Sequence, residues 1–99
     1  MRRLPIDYYE AILQLRPADG VLMKWIERRF RYSDAFISRK VFIKTGVDYY
    51  ISSNKVARQI GKQLKKNFKG ELIESRKLFG RDTYASKNIY RVTVCFRLT

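Results

Sequence analysis

Ninety-nine residues with 22 Lys+Arg, 9 Asp+Glu and no histidine carry a formal charge of +13, on a chain long enough for one core and too short for two. Hydrophobic residues at 45% and aromatics at 14% are too many for a disordered basic tail, so a single folded domain over residues 1–99 is expected, with its charge on the outside. The missing histidines exclude a histidine triad, a histidine metal ligand and an imidazole switch, and the lone Cys95 excludes an internal disulfide or a multi-thiolate zinc site.

Tyr8 to Arg16 alternates as a half-buried strand, with Tyr9, Ala11, Leu13 and Leu15 on one side and Tyr8, Glu10, Gln14 and Arg16 on the other. Pro17 ends it, and Asp19 is placed to cap a helix from Gly20 to Tyr32 whose apolar stripe is Leu22, Met23, Ile26 and Phe30, with Trp25 at its edge. Ala35 to Lys44 reads as a second strand with Ile37, Val41 and Ile43 facing in and Phe36, Ser38, Lys40, Phe42 and Lys44 facing out. A turn at Thr45-Gly46 leads into a short strand, Val47 to Ile51. Ser52 or Ser53 caps the next helix, which Gly70 is expected to close as a left-handed residue. Its apolar stripe is Val56, Ile60, Leu64 and Phe68. Glu71 to Phe79 is a weaker strand, Arg81 to Asn88 a polar connection, and Ile89 to Leu98 the clearest strand, with Tyr90, Val92, Val94, Phe96 and Leu98 on one side. The order β-α-β-β-α-β-β predicts an α+β two-layer sandwich, a largely antiparallel sheet with two helices on one face. A split crossover with right-handed connections is the expected link through the first helix.

A compact body of this charge repels itself and associates with polyanions. The second helix carries Lys55, Arg58, Lys62, Lys65, Lys66 and Lys69 within an arc of about 100°, opposite its apolar stripe. A merely solvated face interleaves Glu with Lys, because like charges at this spacing repel. No acid lies among these cations, which favours a polyanion partner. Two weaker candidates accompany it. Tyr8, Phe36, Phe42 and Tyr50 among Lys40, Lys44, Arg91 and Arg97 would make an aromatic and basic outer sheet face on which bases can stack, though simple packing accounts for them equally well. Arg76, Lys77, Arg81 and Lys87 form a basic hairpin connection of the kind that reaches between phosphates.

Nothing points to catalysis. Gly61-Lys62 lacks the glycine-rich run of a phosphate loop, Cys95 has no histidine to activate it, and the carboxylates lie among basic partners. No cofactor, metal or small-molecule substrate is expected. No apolar run approaches the ~20 residues of a membrane span, and Asp7 and Glu10 interrupt any leader after Met1-Arg2-Arg3, so a cytoplasmic protein without membrane partners is expected.

Gly46-Val47-Asp48-Tyr49-Tyr50-Ile51-Ser52-Ser53, a Gly-aliphatic-Asp-aromatic-Tyr strand running into Ser-Ser and a basic helix, resembles the Nmd-three family of large-ribosomal-subunit export adaptors and their archaeal relatives. Tyr8-Tyr9-Glu10-Ala11-Ile12-Leu13-Gln14-Leu15-Arg16 is similar to the strand after that family's zinc-binding region. Glu74-Ser75-Arg76-Lys77-Leu78 with Gly80-Arg81-Asp82, and Tyr90-Arg91-Val92-Thr93-Val94, resemble its later segments in the right order. The family's paired-cysteine zinc motifs, its carboxy-terminal domain and its leucine-rich export signal have no counterpart in this sequence, which therefore resembles the middle domain alone. The resemblance implies binding to the late large subunit and its ribosomal RNA, in an assembly role without export, with other assembly factors as further partners. The expectation is thus an RNA- and ribosome-binding domain that docks through the basic helix. The rival is a protein-interaction module that contacts neighbouring domains or assembly factors without touching RNA.

Overall fold

The computed structural model describes residues 8–82 and 87–99. Its first strand, β1 (Ala11–Arg16), follows a bend at Glu10, so alternation holds only from Ala11 onward, with Ala11, Leu13 and Leu15 fully buried. The bend corrects one expected face. Glu10 turns toward the helices, where its Oε1 accepts a hydrogen bond from the Asn54 amide at 3.0 Å, while Tyr9 swings to the opposite side. A cis peptide bond joins Arg16 to Pro17.

Helix α1 (Gly20–Arg31) starts where expected, because the Asp19 carboxylate accepts from the amides of Val21 and Leu22 at 3.0 and 3.1 Å. Leu22, Ile26 and Phe30 are its buried stripe. Arg28, Arg29 and Arg31 fill its last turn, where cations oppose the negative end of the helix dipole.

Strand β2 (Ile37–Ile43) differs from expectation. It pairs antiparallel with β3 (Gly46–Ile51), and a bulge between Ile37 and Arg39 inserts one residue into the ladder. One extra residue exchanges the faces of everything after it. Lys40 therefore stands opposite buried Tyr49 and Phe42 opposite buried Val47, on the helix side, while Val41 and Ile43 turn outward. Lys40 confirms the exchange by meeting Glu27 of α1 at 3.2 Å.

Helix α2 (Asn54–Asn67) is capped by Ser53, whose hydroxyl accepts from the Val56 amide at 3.3 Å. No glycine among the described residues has a positive φ, so Gly70 is not the left-handed cap expected of it. The helix ends through Phe68 in extended conformation and runs straight into β4 (Gly70–Asp82). Gly70 is needed there for space, since a Cβ would lie 2.5 Å from Phe96 Cζ and 2.6 Å from the Arg97 carbonyl oxygen.

Strand β5 (Lys87–Leu98) completes a sheet of order β2-β3-β1-β5-β4, in which β1 and β5 are parallel and every other neighbouring pair antiparallel. Two split crossovers result. β1-α1-β2 closes around β3, and β3-α2-β4 closes around β1 and β5, which is the expected α+β two-layer sandwich with a doubled version of the expected crossover. Rows Ile51–Ala11–Val92, Tyr49–Leu13–Val94 and Val47–Leu15–Phe96 run across β3, β1 and β5 on the face that both helices cover. Each fully buried aliphatic side chain there contributes about 1.5–3 kcal/mol. Gly61 lets α2 approach this face: its Cβ position lies 2.6 Å from Val94 Cγ1.

The β4–β5 hairpin is longer than expected. Arg81, Asp82, Lys87 and Asn88, read from the sequence as part of a polar connection, belong to the paired strands, while residues 83–86 of that connection lie outside the described residues. β1 accompanies β5 only from Val92 to Arg97, so the pairs beyond Arg76 and Val92 form a two-stranded ribbon. Thirteen residues at roughly 3.3 Å each account for the long dimension of 43 Å, against 26 and 25 Å in the others.

Among the described residues Tyr49 is the largest fully buried side chain, and its hydroxyl donates to Glu27 at 2.9 Å. Burial, then the hydrogen bond and charge of Glu27, push its pKa far above that of a free phenol. Tyr8 is pushed up to about 12 by burial and by its hydrogen bond to Glu10. A raised phenol pKa leaves stability intact below pH ~10, where folded and unfolded chains are both neutral; above that the unfolded chain ionises first and stability falls. Tyr49→Phe is expected to lower the unfolding free energy measured by urea denaturation at pH 8 by the worth of one hydrogen bond to a charged group, about 1.5–3 kcal/mol. At pH 11 the gap between variant and parent should shrink, and an equal gap at both pH values would refute this account of Tyr49.

Candidate nucleic-acid interface

The capped start of α2 is tied to the sheet at several points. Besides Glu10, the Asn54 side chain donates to the Tyr90 carbonyl oxygen at 3.0 Å and accepts from the Val92 amide at 3.3 Å. With Ala57, Ile60, Gly61 and Leu64 buried against the sheet, the opposite face of the helix is fixed toward solvent, and it carries Lys55, Arg58, Lys62, Lys65 and Lys66, all exposed. Lys65 and Lys66 also sit in the last turn, where they complement the helix dipole.

Two expected members of this set have different surroundings. Arg58 Nε lies 2.7 Å from Glu74 Oε1 on β4, so the acid missing from the helix is supplied by the neighbouring strand. Lys69 lies beyond the helix, exposed in the link to β4, and its carbonyl oxygen accepts from the Thr99 amide.

The hairpin cations are divided by the pleat. Arg76 stands opposite inward-facing Val92 and so shares the helix side of the sheet, with its guanidinium 5.3 Å from the Tyr90 ring centroid. Lys77 stands opposite Arg91 and belongs to the other face. Arg81 and Lys87 sit farther along the ribbon, opposite Asn88 and Asp82. Arg76 therefore continues the side of the molecule that bears α2, and Lys77 does not.

The uncovered face of the sheet carries a different group from the one expected. Arg91 lies 4.1 Å from the Tyr9 ring centroid, Tyr9 meets Tyr50 edge to face at 4.9 Å, and Arg39 lies 5.8 Å from Tyr50 on the far side. Tyr50, Arg91 and Arg97 match the expectation; Tyr9 stands where Tyr8 was expected, and the bulge sends Lys40 and Phe42 to the helix side. Below this stack, Arg16 and Asp48 form an ion pair at 2.8 Å, with side chains only 15% and 16% exposed. Asp48 Oδ1 is held by charge, without an aligned hydrogen bond.

A groove of about 560 Å³ between α1 and α2 escaped the sequence reading. Arg28 and Arg29 line it from α1, and Gln59 and Gln63 from α2. Its one signal in the sequence is the pair of glutamines one turn apart, which interrupts an otherwise cationic helix surface.

Most of the carboxylates here have structural duties: Glu10 at the start of α2, Asp19 as a cap, Glu27 with Tyr49 and Lys40, Asp48 with Arg16, and Glu74 with Arg58. Among the described residues no group of three or more potential metal ligands comes together, and no helix is long and apolar enough to cross a membrane. Cys95 is half-buried on the open face, opposite Gln14 and Ile73.

These features define a basic two-layer α+β domain with a cationic face on α2, a basic hairpin and an aromatic, arginine-bearing sheet face. The family model for NMD3, second domain, matches residues 8–98, and the chain belongs to the NMD3 family. That family comprises ribosome-associated export adaptors, and membership links the chain to ribosome biogenesis and to the large ribosomal subunit. It is not a known family of enzymes. No curated protein matches the chain.

The residues that carry the family pattern have legible structural work. Gly46 permits a close approach to the Leu15 carbonyl, Val47, Tyr49 and Ile51 fill the core, and Asp48 pairs with Arg16. Ser52 accepts from the Phe36 amide at 2.9 Å, and Ser53 caps α2. The pattern thus specifies the platform from which the basic helix projects.

Proposed function

We propose that this domain docks on the RNA of the large ribosomal subunit through the exposed cations of α2, led by Lys55, Lys62, Lys65 and Lys66, with Arg76 continuing the surface along the hairpin. The observation that carries the reading is one-sided charge: exposed lysines repel one another at helical spacing, and among the described residues of this face only Arg58 has an acidic partner close by. Ammonium groups on flexible stems suit phosphates and carry little base specificity, so the contact recognises the backbone of a folded RNA. Lys69, exposed just beyond the helix, extends the positive surface, and Arg81 and Lys87 add further cations at register positions along the hairpin. Arg58 is the weaker contributor because Glu74 already satisfies it, and Lys77 engages RNA only where the RNA wraps the hairpin.

Binding to purified large subunits across a salt series tests this. Neutralising about five phosphates gives a log–log slope of about −4, whereas a salt-independent association would contradict it. Association that persists after the RNA has been digested would instead favour docking on protein.

A further inference from the structure

The groove between α1 and α2 differs in chemistry from the lysine face beside it. Trp25 and Ile60 form an apolar floor, Arg28 and Arg29 stand on the α1 wall, and the α2 wall presents the neutral amides of Gln59 and Gln63. Among the described residues no carboxylate lines it. Arg29 lies 4.9 Å over the Trp25 ring, and Phe68 meets that ring edge to face at 5.5 Å, so the floor is packed in place. The volume of about 560 Å³ falls within the range of ligand-sized sites.

We infer that this groove receives an acidic protein segment that also carries apolar side chains, such as one face of an amphipathic helix. Three features select that occupant. Guanidinium forks match carboxylates in two-point contacts. The apolar floor accepts a leucine-sized anchor, as in other helix-in-groove contacts. The amide wall supplies donors and acceptors without charge, whereas a surface following phosphates would continue the lysines of the outer face. The domain thereby has a protein-binding groove beside its proposed RNA-binding face, with separate residues for each.

Trp25 is the single tryptophan, so its fluorescence reports on the groove directly. The probe is a short synthetic peptide of glutamates with leucine at every fourth position, compared with an all-glutamate peptide and an oligouridine. The leucine-bearing peptide should give a saturable Trp25 response that the all-glutamate peptide does not reproduce. By anisotropy of a labelled copy, Arg28→Ala with Arg29→Ala should weaken it at least about tenfold, as expected when charged hydrogen-bond partners are removed. Lys62→Glu with Lys65→Glu should leave peptide affinity within about threefold, the remainder of long-range charge after screening. Circular dichroism verifies that each variant is folded. Absence of a saturable peptide response, a response to oligouridine alone, or equal weakening by both pairs of substitutions would overturn the inference. Failure of RNA docking on the lysine face would leave it standing.

Discussion

Lys62→Glu combined with Lys65→Glu is expected to lower affinity for purified large subunits at least about 100-fold near 0.1 M salt. The size follows from counterion release: each phosphate left without its cation costs about tenfold at that ionic strength, and reversing the sign adds repulsion. Both side chains are exposed, so thermal stability should change by no more than about 0.5 kcal/mol. A glutamate at position 62 even gains a favourable partner in Lys66, one turn on. The matched control removes the same charge from the uncovered sheet face, where Arg39 and Arg97 are both exposed. Arg39→Glu with Arg97→Glu should cost less than about tenfold, because exposed charges beyond a Debye length of ~10 Å are largely screened. Equal losses from the two pairs would reduce the interaction to net charge and contradict docking through α2.

Gly46→Ala is expected to destabilise more than a methyl added at Gly20, Gly61 or Gly70. The new Cβ would sit 2.0 Å from the Leu15 carbonyl oxygen and 2.9 Å from Arg16 Cδ. The first of these is backbone in the central strand, so no side-chain rotation relieves the clash; β1 and β3 must part where Leu15 pairs with Val47. Overpacking of this kind costs typically 1–3 kcal/mol and more where the obstacle is rigid, so a loss above about 3 kcal/mol is expected. In a domain of this size that lowers the melting temperature by roughly 12 °C or more. Gly20→Ala provides the contrast. Nothing lies within 4 Å of its Cβ position, it occupies the first turn of α1, and the substitution should stabilise by up to about 1 kcal/mol. Thermal melts of the two variants decide it: Gly46→Ala melting with the parent would mean that the β1–β3 contact is looser than described.

The parts of the fold legible in the sequence are those with one buried face. Strict alternation marked Ala11, Leu13 and Leu15, and again Val92, Val94 and Phe96, while the four-residue spacing of Val56, Ile60 and Leu64 located α2 and set its lysines outward. Asp19 and Ser53 announced the helix starts because a short oxygen-bearing side chain is what the free amides there require. The missed features lack such a signature. The bulge at Ser38 depends on how β2 meets β3, and β2 has an exposed edge that tolerates either phase. The last rungs of the β4–β5 ladder, Arg81 with Asn88 and Asp82 with Lys87, are made by polar residues that leave no apolar alternation to read. Gly70 carried the right residue type for a left-handed cap, but the Phe96 ring is what excludes a side chain there. Within the candidate interface, the cations of α2 followed from the helical period alone. The pairing of Arg58 with Glu74 and the groove between the helices depend on tertiary contacts between segments far apart in sequence.

On the proposed function, α2 faces ribosomal RNA when the domain is bound to the large subunit. A photoreactive amino acid placed at position 62, irradiated on purified large subunits and mapped by adduct sequencing, tests it most directly. Docking through α2 gives adducts confined to a discrete stretch of ribosomal RNA, abolished when salt is raised, and absent when the same group is placed at position 39. Adducts on ribosomal protein alone, or equal yields from positions 62 and 39, would contradict it.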